Sequence, residues 1–277
     1  MRELPSLFVS HGAPTVAVEP SPARDFLAGL GRSLPRPRAI LCMSAHFETD
    51  QPTLTSGAHP ATIHDFYGFP EELYRLRYPA PGSPELAEEA ARLLREAGLV
   101  ATLDPEAGFD HGTWVPLLLM FPEADIPVVQ LSVQPHRDAA HHARIGRALA
   151  PLRRRGVLIL GSGALTHNLA EVMARLRAGD GAGGPVAWAE AFARWVEDRI
   201  RSGDLEGLCR YRELAPEAAR AHPTEEHLFP LHMAAAAGGG RGVKLHESFA
   251  YGSLAMTVYA FPGLAVREAA QEAAKVV

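Results

Sequence analysis

Four short apolar runs punctuate the chain: residues 7–9 (LFV), 39–43 (AILCM), 127–133 (PVVQLSV) and 157–160 (VLIL). They are aliphatic, often β-branched, and show no clean alternation with polar residues, as strands covered on both faces do. Between them apolar positions recur at helical spacing. Residues 83–97 open with Ser-Pro-Glu, an N-cap followed by proline at the first helical position. Residues 138–154, 186–201 and 224–237 predict three further helices, and 244–251 and 255–261 two late strands, antiparallel at a sheet edge. Strand alternating with helix predicts an α/β fold. No repeat or linker interrupts the pattern, so we expect a single domain over residues 1–277. Its centre would be a mixed, largely parallel sheet flanked by helices on both faces.

Residues 179–184 (GDGAGG) and 238–242 (GGGRG) read as flexible loops. The stretch 51–81 is rich in proline and aromatic residues and lacks regular periodicity. Irregular segments of that length are uncommon in compact domains unless they serve a function, which predicts the wall or lid of a site.

Composition narrows the function. The 277 residues are 47% hydrophobic and 21% charged, an ordinary globular balance with ample material for a large core. A net charge of −5 without a basic run argues against nucleic acid or an anionic membrane surface as partner. No apolar stretch approaches the roughly 20 residues of a membrane helix. The two cysteines, Cys42 within a strand and Cys209 in a polar stretch, suggest no disulfide framework and fit a reducing compartment. The first strand starts close to Met1, where a signal peptide would need its charged and apolar regions. The expectation is a soluble, cytoplasmic protein, and nothing in the pattern specifies an oligomeric state.

The chain has 13 histidines, and their positions are informative. Ligands of open α/β sheets sit beyond the carboxyl ends of the strands. His11 follows "SLFVS", His46 follows "AILCMSA" and His167 follows "VLILGSGALT", with Gly12 and Gly163 permitting close backbone approach. One such histidine reads equally well as structural; three from distant segments favour a site. His227 lies in "HPTEEHLFPL", where Thr224 is the expected N-cap and His227 falls in the first helical turn. His111 lies in "GFDHGTWVPLLLM", before an apolar helix, and His64 lies within 51–81. His141 and His142 read as a solvated helix face; His59, His136, His222, His232 and His246 read as structural or exposed. The chain has no H-E-x-x-H, C-x-x-C or G-x-S-x-G, and "GSGALTHN" lacks the lysine of a phosphate loop. Dispersed neutral imidazoles suit zinc, iron, copper or nickel rather than magnesium or calcium.

Longer motifs give these positions a context. "SHGAP" (10–14), "SAHFET" (44–49), "IHDFYGFP" (63–70), "YPAPGSP" (78–84), "GFDHGTWVPL" (108–117), "QLSV" (130–133), "GSGALTHNL" (161–169) and "PTEEHLFPL" (223–231) occur in that order. The set resembles the class III extradiol ring-cleavage dioxygenases, in particular the 4,5-DOPA dioxygenase-like branch, over essentially the whole chain. The resemblance implies His11, His46 and His227 as ligands of one divalent metal ion. It implies His111 and His167 as catalytic histidines that handle protons and oxygen, with His167 either a base or a fourth ligand. Protocatechuate-type relatives use two histidines and a glutamate; here His227 stands at the third position, with Glu225 and Glu226 adjacent. Three neutral ligands admit Zn(2+) as well as the Fe(2+) that dioxygenase activity implies. The implied partners are a small catecholic substrate and O2. A zinc-dependent hydrolase and a non-catalytic binding protein on the same scaffold are the alternatives. Arg75, Arg77 and Tyr78 read either as a carboxylate clamp or as surface; Phe66, Tyr67, Phe69 and Trp114 read either as an aromatic wall or as core.

Overall fold

Successive residues of the central strands enter two different cores. Ile40, Cys42, Leu158 and Leu160 pack on one face with Leu27, Leu30, Trp114 and Leu117. Leu41, Met43, Val157 and Ile159 pack on the other with Leu94, Ile145, Phe229 and Met233. Both pleat faces being buried explains the unbroken apolar runs. The computed structural model describes residues 3–179 and 184–262.

The strands are β1 (Ser6–Ser10), β2 (Ala39–Glu48), β3 (Thr53–Thr55), β4 (Thr102–Asp104), β5 (Val128–Val133), β6 (Val157–Gly163), β7 (Val243–His246), β8 (Phe249–Ala250), β9 (Leu254–Ala255) and β10 (Val258–Phe261). Eight of them form one sheet in the order β4-β3-β5-β2-β6-β1-β10-β7. β5, β2, β6 and β1 run parallel through its centre. β10 and β7 add the expected antiparallel edge, but each of the two expected late strands is broken, and the inner pieces β8 and β9 pair as a separate small hairpin.

Helices α1 (Pro22–Ser33), α2 (Glu71–Arg75), α3 (Pro84–Glu96), α4 (His111–Met120), α5 (Ala139–Leu149), α6 (Leu169–Arg177) and α7 (Ala187–Ser202) precede three short ones: α8 (Leu205–Cys209), α9 (Tyr211–Leu214) and α10 (Ala218–Ala221). The last is α11 (Phe229–Ala237). Helices α1 and α4 cover one face of the sheet; α3, α5, α7 and α11 cover the other. Among the described residues no helix is long and apolar enough to cross a membrane.

Several expectations change. The helix expected over 224–237 begins only at Phe229, with 224–228 in turns. Pro230 explains the shift: in the first turn its missing N–H costs nothing, whereas deeper in a helix it would remove a hydrogen bond. The stretch 138–154 is α5 followed by a 3-10 segment over Ala150–Arg155, where Pro151 falls. The stretch 51–81 is partly ordered into β3 and α2. Of the loop 179–184, residues 180–183 lie outside the described residues. His142 is fully buried rather than solvated. The α5 register turns it inward beside Ala139, Ile145 and Gly146, where Nδ1 donates to Asp138 O (2.8 Å) and Nε2 accepts from Gln134 N (3.1 Å). Its ring stacks on Phe229 at 4.0 Å between centroids, tying α5 to α11.

Helix α11 (FPLHMAAAA) is buried on every side and apolar except for His232, whose ring nitrogens face the carbonyls of Leu228 and Leu208. It lies directly against β6 because Gly161 and Gly163 leave room for backbone. A Cβ on Gly161 would overlap Pro230 O, and one on Gly163 would overlap His227 O. We predict that Gly161→Ala lowers stability by about 1–3 kcal/mol, the cost of overpacking a close contact. Gly29→Ala, in α1 with nothing within 4 Å, should be neutral or raise it by about 0.4–1 kcal/mol. Urea midpoints of the two variants decide the matter; equal midpoints would contradict the close approach of α11 to β6.

Candidate metal centre and its cavity

Strand ends deliver the first two imidazoles, and a turn packed on a strand end the third. His11 leaves β1 with its N–H donating to Gly163 O (3.0 Å), so the first turn beyond β1 is tied to the end of β6. His46 lies near the end of β2, past an irregularity in its pairing with β5, and Ser44 Oγ accepts its N–H (3.2 Å). His227 sits in the turn that α11 presses onto β6, where its carbonyl accepts from Ala164 N (2.9 Å). His111 is the first residue of α4, with Asp110 as N-cap. His167 follows β6 and donates its backbone N–H to Ala221 O (2.8 Å).

These five rings meet. The centroid separations are 4.0 Å for His46–His111, 5.0 Å for His11–His46 and 3.5 Å for His167–His227, the last pair stacked within 9°. Ligand atoms of His11, His46 and His227 lie within 4.8 Å of one another. The Nε2 atoms of His11 and His46 are 3.1 Å apart, close to the spacing of two imidazole nitrogens each about 2.1 Å from one ion.

Hydrogen bonds decide which nitrogens carry lone pairs. Ser162 Oγ donates its single proton to Gly112 O, so it accepts from His11 Nδ1 (3.0 Å). Glu226 Oε1 accepts from His227 Nδ1 (2.8 Å). In both rings Nε2 is left with its lone pair, and His227 Nε2 is buried with no hydrogen-bond partner among the described residues. A buried acceptor with nothing to accept is costly, and a divalent cation beside it removes that cost. The donor set therefore fits a metal ion.

The protonation states agree. Burial, and after it the neighbouring imidazoles, hold His11, His46 and His227 below the ordinary histidine range. Neutral imidazole is the form that binds a metal. Burial also lowers His167, against the opposing pull of the Glu226 carboxylate. Asp65 accepts both His111 N (2.9 Å) and His111 Nδ1 (2.8 Å). Burial works to raise the Asp65 carboxyl, but its contacts with His111 outweigh that and hold it below the ordinary value.

The structure thus brings together the five histidines the motifs singled out. It adds three groups to which the sequence alone assigns no role: Ser162, Glu226 and Asp65. Each lies inside one of the motifs, next to a residue singled out there, but the partner it orients is recognisable only in three dimensions. His64 stays outside the cluster, bonded through Nε2 to Leu76 O (3.1 Å). No carboxylate clamp forms from Arg75, Arg77 and Tyr78. Arg75 pairs with Glu71, Arg77 donates to the carbonyls of Tyr74 and Leu76, and Tyr78 is buried with its hydroxyl on Phe121 O. Of the four aromatics, Phe66 and Phe69 line the site; Trp114 belongs to the core, and Tyr67 is 90% exposed.

The histidines open on a cavity of about 190 Å³. Beyond the five rings and Thr166 its walls are apolar, formed by Phe66, Phe69, Leu169, Leu254 and Met256 with small residues between them.

An α/β sheet whose parallel strands end at a candidate histidine metal centre, open to an apolar cavity, defines the class. The chain belongs to the family described as the catalytic LigB subunit of aromatic ring-opening dioxygenase, which matches residues 5–262. A 4,5-DOPA dioxygenase extradiol of Beta vulgaris is 44% identical, over 92% of this chain and 96% of the relative. A protein of the same description from Escherichia coli K12 is 42% identical, over 82% and 83%. The crystal structure of an uncharacterized Escherichia coli K12 protein superposes with a TM-score of 0.75 at 34% identity, covering 94% of this chain and 100% of that one. The protein is an oxidoreductase of the extradiol ring-opening dioxygenase class. Dioxygenases of this family depend on a metal, and His11, His46 and His227 are a group that could hold it.

Because Glu226 fixes the tautomer of His227, Glu226→Gln should weaken metal binding by about 10–100-fold, the usual effect of losing the carboxylate behind a ligating histidine. Competition against a chelator of known affinity measures this; unchanged affinity would contradict the role given to Glu226.

Proposed function

We propose that His11, His46 and His227 hold one divalent metal ion and that the chain opens the ring of a catechol with O2. The observation that carries this reading is the buried, unpartnered Nε2 of His227 beside the facing Nε2 atoms of His11 and His46. Fe(2+) is the ion we assign to turnover, with Zn(2+) as the other occupant that three neutral ligands accept. When bound, the ion supplies Lewis acidity toward the two adjacent hydroxyls and the redox route to O2.

The chain's own residues position the substrate and handle protons. Phe66 and Phe69 wall the cavity on the side of His111 and exclude water from the ring. His167 is kept neutral by burial and accepts the proton of the second hydroxyl. His111, its Nδ1–H held by Asp65, has Nε2 free to take up a proton and return it to product oxygen. The carbon–carbon bond beside the hydroxyl pair breaks, both atoms of O2 enter the product, and a ring-opened semialdehyde leaves.

The catechol class is supported by the names of the relatives, several of which are 4,5-DOPA dioxygenases. We take residues 1–277 as one catalytic domain. We place it in the cytoplasm, which its free cysteines Cys42 and Cys209 suit. We assign it neither a nucleic-acid nor a membrane partner, on its net charge of −5.

The test is anaerobic loading with Fe(2+), then addition of a catechol panel in an oxygen electrode. One O2 should be consumed per ring opened, and Zn(2+)-loaded protein should be inactive. His111→Ala should retain about one metal per chain and lose roughly 10²–10⁴-fold in turnover, whereas His46→Ala should lose the metal. Oxygen-independent hydrolysis, or loss of metal from His111→Ala as complete as from His46→Ala, would overturn the reading.

A further inference from the structure

Five of the six polar side chains that line the cavity are the histidines already assigned to metal and proton handling. The sixth, Thr166, is committed: its hydroxyl donates to Ser253 O (2.7 Å) and accepts from Ala255 N (2.8 Å). Among the described residues no lysine, arginine, aspartate, glutamate, asparagine or glutamine lines the cavity. Arg75 and Arg77, the candidates for a carboxylate clamp, are bonded elsewhere.

We propose that the substrate of this chain is a catechol bearing an uncharged, apolar substituent, rather than one bearing a carboxylate or an amino-acid side chain. The proposal rests on the ring-opening function stated above and specifies its substrate. A substituent carboxylate entering this cavity gives up water and meets Phe69, Leu169, Leu254 and Met256, none of which can hydrogen-bond through its side chain except weakly through the methionine sulfur. An alkyl group of the same length loses nothing polar and buries apolar surface against the same walls. Selectivity by an apolar site against a charged group comes from this missing partner. Leu169, at the start of α6, lines the cavity and is 57% exposed, so it marks the mouth.

The experiment compares three catechols whose substituents have the same carbon count, using the Fe(2+)-loaded full chain: 4-propylcatechol, 3-(3,4-dihydroxyphenyl)propionate and L-DOPA. We expect kcat/KM for 4-propylcatechol to exceed both others by about tenfold or more. Leu169→Arg, which puts a cation at the mouth, should close most of the gap for the propionate. Wild-type kcat/KM for the propionate or L-DOPA that matches or exceeds that for 4-propylcatechol would overturn the proposal and leave the ring-opening function standing. An unchanged gap in Leu169→Arg would overturn the stated cause, the missing cationic partner. Failure to open any of the three would overturn the function and this proposal with it.

Discussion

The contact of the α11 backbone with β6 organises the molecule. A helix meets a sheet at this distance only where side chains are absent from the sheet face, and Gly161 and Gly163 provide that absence. Gly146 does the same for α5, where a Cβ would overlap Met233 O. The alanines of 234–237 complete a seam of small residues, and α11 is buried on every side. The turn before α11 is therefore pinned over the end of β6, and His227 with it. His11 is tied to the same strand end by its bond to Gly163. Two of the three candidate ligands thus take their positions from one packing contact, and the third, His46, comes from β2, the strand next to β6.

That scaffold places buried imidazoles side by side, an arrangement that is unfavourable when they are charged. Burial keeps His11, His46, His167 and His227 below the ordinary histidine range, and three of the rings have an acceptor for Nδ1–H. Ser162 serves His11, Glu226 serves His227 and Asp65 serves His111. The polar groups that orient the rings lie behind them, and the cavity in front is left to apolar walls. On the proposed reading, the same division separates metal and proton chemistry from recognition, with polar groups on the side of the histidines and apolar walls facing the substituent.

Much of this is legible in the amino-acid sequence. The central strands can be read because burial on both faces leaves unbroken apolar runs, and three of the five histidines because they stand at the ends of such runs. His111 and His227 need motif context, since one sits at a helix start and the other in a turn whose position depends on packing. Three features are not legible. Pro230 sets the start of α11 later than the Thr224 cap suggests, because local cap signals do not weigh a proline downstream. His142 reads as solvated because Ala/Arg-rich neighbours hide the inward register of α5; its partners Gln134 and Phe229 come from outside that helix. Asp65 looks like an ordinary loop acid, and its bonds to His111 span 46 positions of chain.

On the proposed reading, His11, His46 and His227 converge on one ion through their Nε2 atoms. Anomalous diffraction from crystals of the anaerobically Fe(2+)-loaded protein tests it most directly. One strong peak per chain is expected, about 2.1 Å from the three Nε2 atoms. Asp65 Oδ2 and His111 should remain bonded to each other and outside the coordination shell. A peak ligated instead by His46, Asp65 and His111, a neighbouring group whose ligand atoms are also close enough to hold a cation, would contradict that convergence.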